Sequence, residues 1–194
     1  MNKRNLLLLG FAVVALAQLA VPAWMIVEHE GALQQGQVFK FRTRPVDPAD
    51  AFRGRYVWLS LEPDAIRVPD VNNWAHDAKA FAVLGLDTNG FALVKRLDRA
   101  APANEPAVAV RTLWPDAKDG VVHIAWPGLD RYYMTEGQAP AAETAYREHS
   151  RRTNQTCHVT VRVRGTRAVI ENLFIDDQPI HDWLREHKPA KRGS

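Results

Sequence analysis

Leu6 to Val27 is a run of 22 residues without a single charge, interrupted only by Gln18 and Pro22. As a helix rising ~1.5 Å per residue it spans roughly 30 Å, the thickness of a bilayer's hydrocarbon core. Such a segment takes itself out of any soluble core and divides the chain. Lys3 and Arg4 precede it, and Glu28, His29 and Glu30 follow. Cations on the near side and acids on the far side predict a cytoplasmic N-terminus with the bulk of the chain across the membrane. Trp24 sits near the far end, where an amphipathic ring suits the interface. Ala15-Leu16-Ala17 fits a small-x-small cleavage site, so a removed signal peptide is the alternative. The apolar run continues ten residues past Ala17, which favours an uncleaved anchor. The organisation that follows is a cytoplasmic tip at 1–4, an anchor at 5–27, an exported domain at 28–187 and a basic tail at 188–194.

The exported part reads as strands. Gln37–Thr43 alternates, with Phe39 and Phe41 on one face. Ala80–Leu86 and Phe91–Leu97 flank Asp87-Thr88-Asn89-Gly90, and Asn-Gly predicts a hairpin with a two-residue turn. Val108–Trp114, Val121–Trp126 and Arg131–Met134 are further extended pieces. Cys157–Arg164 alternates strictly, with Val159, Val161 and Val163 inward and Thr160, Arg162 and Arg164 outward. Gly165-Thr166 turns it back into Arg167–Ile175. Pro63, Pro69 and Asp70–Asn73 mark a loop, and Trp74–Lys79 suggests one helical turn. Pro140 opens a helix over 141–150, with Glu143 in its first turn and Arg147 and His149 near its end. Ile180–His187 forms a short amphipathic helix. The fold expected is mainly β (α+β): a small antiparallel barrel or sandwich with one or two short helices behind one transmembrane helix.

Composition removes several function classes. Net charge is +3 and the cations are scattered, with no basic run interleaved with aromatics, so nucleic-acid binding is not indicated. One cysteine, Cys157, excludes an intramolecular disulfide. Cys157-His158 reads as a strand-edge pair without chemical consequence. The histidines never fall at metal-ligand spacing, so no metal and no cofactor is expected.

The stretch from Pro45 to Leu61 is the most specific in the chain. Asp47 can cap a helical turn over 48–52, with Pro48 at the first helical position and Asp50 behind it. Arg53 or Arg55 could pair with Asp47 or Asp50, and Gly54 permits a backbone excursion. From Tyr56 the pattern alternates, with Val57, Leu59 and Leu61 on one face and Tyr56, Trp58 and Ser60 on the other. Gly54, Tyr56 and Leu59, in a Pro-Val-Asp-Pro…Phe-Arg-Gly context, resemble the signature of the GDYXXLXY family of exported bacterial proteins. The signature's Asp is Arg55 here, and its closing Tyr is Leu61. Arg131-Tyr132-Tyr133-Met134-Thr135-Glu136-Gly137 and the later Glu143 are similar to the family's Tyr-containing strand that leads into Glu-Gly and a second acid. The resemblance implies a protein anchored in the bacterial inner membrane with a periplasmic domain, often encoded beside a multi-spanning membrane protein. It supplies no catalytic residue.

The function expected is therefore binding rather than catalysis, with a neighbouring membrane protein or an envelope component as partner. Asp47, Asp50, Arg53, Gly54, Arg55, Tyr56, Trp58, Tyr133 and Glu136 are the candidate binding residues. Six tryptophans could line a groove. The alternative is an envelope hydrolase resembling signal peptidases, with Ser60 as nucleophile and Lys95 as base; Lys95 alternates with Leu93 and Leu97, which would aim it inward. A Glu136/Glu143 carboxylate pair is separated by Pro140, so no geometry follows from the spacing.

Overall fold

The structure is a computed structural model that describes residues 3–44, 56–151 and 156–187. The expected helical turn at 48–52 and its Asp47, Asp50, Arg53, Gly54 and Arg55 lie outside the described residues, as does the tail at 188–194.

One helix, α1, runs from Lys3 to Gln35 and carries the apolar run, with Pro22 inside it. The strands are β1 (Gln37–Arg44), β2 (Tyr56–Trp58), β3 (Ser60–Leu61), β4 (Ala65–Arg67), β5 (Lys79–Leu86), β6 (Ala92–Asp98), β7 (Ala107–Asp116), β8 (Val121–Ala125), β9 (Arg131–Tyr133), β10 (Cys157–Arg164), β11 (Arg167–Ile175) and β12 (Gln178–Pro179). Helix α2 spans Ala139–Ser150 and α3 spans Ile180–Glu186. One sheet has the order β12-β11-β10-β1-β3, a second the order β4-β8-β7-β5-β6, and β2 pairs with β9 alone. Every named ladder is antiparallel; among the described residues one parallel bridge, Lys40 to Phe91, joins the first sheet to the second. The sheets thus curl into a nearly closed barrel with one large core and a small satellite cluster of Phe81, Val83 and Ala107.

That core is filled by the residues the period-2 pattern turns inward. Phe39 and Phe41 from β1 meet Val159 and Val161 from β10 and Leu173 and Ile175 from β11. Trp126 stacks edge-on against Phe41 at 5.2 Å, and its Nε1–H donates to the Pro63 carbonyl at 3.2 Å. Helix α2 closes one side with Ala142, Ala145 and Tyr146, and the Tyr146 hydroxyl donates to the Arg44 carbonyl at 2.9 Å.

Tertiary contacts override several local expectations. The segment at 74–79 is not helical: the helical turn is a 3-10 turn at Val71–Asn73, and Lys79 already opens β5. The reason is Thr112, buried in β7, whose Oγ1 donates to the Ala75 carbonyl at 2.5 Å and accepts the Ala78 N–H at 3.0 Å. Those bonds hold a tight turn at His76-Asp77 instead, with Asp77 at a positive φ of 56°. The Pro63–Asn73 loop contains β4, too short to show a period and held by its ladder to β8.

The β5–β6 turn is wider than two residues. Asp87 N–H donates to the Phe91 carbonyl at 2.8 Å, leaving Thr88, Asn89 and Gly90 as the loop with Gly90 at φ 78°. The Asp87 carboxylate accepts the N–H groups of Asn89 and Phe91, both at 2.8 Å, and so builds its own turn. The neighbouring register shift, between Val83 and Leu84, leaves Lys95 as the extra residue of a bulge. The alternation therefore breaks, and Lys95 is exposed rather than inward.

Helix α2 starts two residues early, which puts Glu143 beyond the first turn and into an i,i+4 pair with Arg147 at 3.5 Å. Cys157 and His158 are not at a sheet edge, because β10 lies between β1 and β11. His158 and Thr160 face away from the main core yet are buried. His158 lies parallel to the Phe174 ring at 4.7 Å and edge-on to Phe91 at 5.8 Å.

Candidate functional site

The stretch from Tyr56 to Leu61 is one strand that changes partner halfway. Its first three residues, β2, pair with β9; its last two, β3, pair with β1. Between them the Leu59 N–H donates to the Asp130 carbonyl at 2.9 Å, so the path continues unbroken across the gap. Side-chain alternation continues too: Val57, Leu59 and Leu61 are 0%, 4% and 2% exposed, and Tyr56, Trp58 and Ser60 face outward, half-buried.

Strand β9 is aimed by the turn before it. Trp126-Pro127-Gly128-Leu129 closes with the Leu129 N–H donating to the Trp126 carbonyl at 3.1 Å. Pro127 is followed by Gly128 at φ 81°, the combination a type II turn requires. Leu129 is then buried, and β9 emerges with Tyr132 inward. The Tyr132 hydroxyl lies 3.3 Å from His181 Nε2 on α3, and burial pushes its pKa up.

The register sets Tyr56 opposite Tyr133 and Trp58 opposite Arg131, all four on the outer face. Tyr56 packs edge-on to Trp58 at 5.3 Å and to Tyr133 at 5.8 Å. The Arg131 guanidinium carbon stands 4.7 Å from the Trp58 ring centre and 5.2 Å from that of Tyr56, within cation–π range. The Tyr133 hydroxyl and then the Asp130 carboxylate, 3.3 Å from Arg131 Nε, draw the guanidinium further toward its charged form. Tyr133 itself is 68% exposed. Beside it an open cleft of about 490 Å³ is lined by Trp126, Pro127, Gly128, Asp130, Arg131 and Tyr133, among others. The arrangement is a platform of three rings around one cation, next to a recess. Tyrosine, tryptophan and arginine are the side chains enriched at interface hot spots.

Of the expected site residues, Tyr56, Trp58 and Tyr133 come together here. Glu136 lies in the turn between β9 and α2. Asp47, Asp50, Arg53, Gly54 and Arg55 lie outside the described residues, so their place relative to the platform is not on view. Arg131 was missed as a site residue. Its signal was present in Arg131-Tyr132-Tyr133, where residues two apart in a strand share a face. The tryptophans do not line one groove: Trp126 is in the core, Trp114 stacks on His123 at 4.8 Å, and Trp183 packs against His149 and His187. Ser60 and Lys95 stand in different sheets, Ser60 opposite Arg44 and Lys95 exposed on its bulge.

A family model for the GDYXXLXY protein matches residues 18–173. The chain belongs to the GDYXXLXY family. No curated protein and no solved structure matches it. The GDYXXLXY signature falls on the strand that changes partner. Its Tyr is Tyr56 of the platform, its Leu is the buried Leu59, and its closing position is Leu61, opposite Thr43 of β1. The signature thus spells one outward ring and inward apolar positions that fasten β9 and β1 to a common core.

Proposed function

We propose that the protein is a non-enzymatic, single-span module of the bacterial envelope, with the outer face of β2 and β9 as its contact surface. The N-terminus lies in the cytoplasm and residues 28–187 lie beyond the inner membrane. The observation that carries this reading is the Arg131 guanidinium seated over Tyr56 and Trp58 with Tyr133 exposed beside it, a polar–aromatic lattice outside the core. Arginine and large aromatics are the side chains that dominate binding energy at interfaces. The partner is a neighbouring membrane protein or an envelope component.

The helix supports the membrane half of the reading. Its apolar window has a mean hydropathy of 2.3 and no part of it is buried against the domain. Phe11, Leu16 and Trp24 are 73%, 68% and 68% exposed, so they need lipid or another helix around them. Gln18 is the polar group within that run best placed to hydrogen-bond a partner helix.

The test is affinity purification of the full-length chain from its native membranes. Arg131→Ala with Tyr133→Ala should lose the captured component while the chain still inserts and folds. Gln18→Leu should insert normally and weaken capture of a membrane-protein partner. Capture unaltered by the Arg131/Tyr133 pair would remove β2–β9 as the contact surface.

A further inference from the structure

The helix and the domain are not joined by a slack tether. Helix α1 ends at Gln35 and β1 begins at Gln37, with Gly36 alone between them. Before it ends, the helix packs on the closed end of the β10–β11 hairpin. Arg167 makes an ion pair with Glu28, the first residue after the apolar run. The Arg164 side chain lies across Gly31: its Nη1 is 2.6 Å from where a Cβ at that position would stand. A larger residue there would have to push the guanidinium aside. A small recess of about 200 Å³ lies in the same place, lined by His29 and Ala32 of the helix, Thr166 and Arg167 of the hairpin, and Ala109 and Pro127.

Height along the helix can be read from its rise. At ~1.5 Å per residue, Glu28 lies about 1.5 Å beyond Val27 and Gly31 about 6 Å beyond it. The polar layer on each side of the hydrocarbon is about 5–7 Å thick. The two hairpin arginines that touch Glu28 and Gly31 therefore stand at headgroup level. We propose that the Arg164–Arg167 hairpin end, with His29, is a binding site for the phosphate of anionic phospholipid, holding the domain against the membrane at a set orientation. This rests on α1 spanning the bilayer. Charge complementarity names the occupant. On the hairpin side of the helix Arg164 and Arg167 project two cations against the carboxylate of Glu28; Glu30, at the same height, lies about 200° round the helix from it and accepts from Gln34. Each arginine near an anionic leaflet adds about fivefold to binding.

The test uses the full-length chain in phosphatidylcholine vesicles containing phosphatidylglycerol, with spin labels at single cysteines placed at Trp24, Thr166 and Lys118. The native Cys157 is 2% exposed and supplies the unlabelled background. Lys118 is the far-end control. The Ala109 N–H donates to the Thr166 carbonyl at 3.4 Å, and Lys118 lies beyond the other end of β7, roughly 30 Å along the strand direction. The Trp24 label should be reached by oxygen rather than by an aqueous nickel chelate. The Thr166 label should be shielded from the chelate, and the Lys118 label freely accessible. Arg164→Gln with Arg167→Gln should then lower retention of phosphatidylglycerol over phosphatidylcholine by about fivefold per arginine. A Trp24 label in the hydrocarbon with Thr166 as accessible as Lys118 overturns the headgroup placement and leaves the span intact. A Trp24 label in water overturns the span and this site with it. A shielded Thr166 with unchanged lipid preference in the double variant overturns the anionic-lipid site.

Discussion

If the signature strand is divided into inward residues that hold the barrel and outward residues that meet a partner, truncations on its two faces must have opposite consequences. Leu59→Ala removes a side chain that is 4% exposed and packed where the strand passes from β9 to β1. Leu→Ala at such a site costs about 3 kcal/mol, combining lost transfer energy with the cavity left behind. For a domain of this size each kcal/mol lowers the melting temperature by about 2–4 °C, giving a drop of roughly 6–12 °C. Leu59→Met keeps the volume and should cost less than about 1.5 kcal/mol. Trp58→Ala, one residue earlier and half-exposed, loses only contacts on the outer face and should cost about 1 kcal/mol or less. The assay is thermal unfolding of the full-length chain in detergent micelles followed by far-UV circular dichroism. The partner-capture experiment is then run on the same variants. Leu59→Met should melt within about 6 °C of the parent and capture like it, and Trp58→Ala should melt within about 4 °C of the parent but capture poorly. A Trp58→Ala chain that melts as low as Leu59→Ala would refute the division of faces.

Thr112 gives a second stability test. Thr112→Val removes the hydroxyl that fixes residues 75–78 and should cost about 1–2 kcal/mol, with faster amide exchange at Ala78. Thr112→Ser should recover most of that loss; equal behaviour of Val and Ser would remove the hydroxyl from the account. A third concerns acid. Burial holds the His158 pKa below the usual histidine value, opposed by Asp177 at 3.9 Å and reinforced by Lys40. A histidine depressed in the folded state takes its proton first in the unfolded chain. Stability is therefore unaffected well above pH ~6.5 and falls as pH drops from there toward the lower folded value. His158→Phe keeps the ring between Phe174 and Phe91 and removes the proton site. Its melting temperature should fall less than the parent's between neutral and mildly acidic pH, and an identical fall would show that other groups carry the acid response.

The barrel was legible wherever one face of a strand carried a run of apolar residues. Phe39 and Phe41, Val57 to Leu61 and Val159 to Val163 each announced the inward face correctly, because period 2 and burial report the same thing. What escaped was set by distant residues. Nothing near Trp74–Lys79 reveals that Thr112 will seize its backbone, and nothing near Lys95 reveals the bulge that turns it outward. Outward residues on β10 read as solvent-facing, yet His158 is covered by Phe91 and Phe174 from other strands. The platform was half-visible: Tyr56, Trp58 and Tyr133 stood out as aromatics. Arg131 gained meaning only through the register that places it opposite Trp58.

The proposed contact surface is the outer face of β2 and β9. The most direct measurement is photocrosslinking in intact membranes from a probe at Tyr133, 68% exposed on the platform, against the same probe at Trp114, 54% exposed on β7. Tyr133 should give a discrete adduct that Arg131→Ala diminishes, and Trp114 should give none. Adducts of equal yield from both positions, or an adduct from Trp114 alone, would contradict this reading.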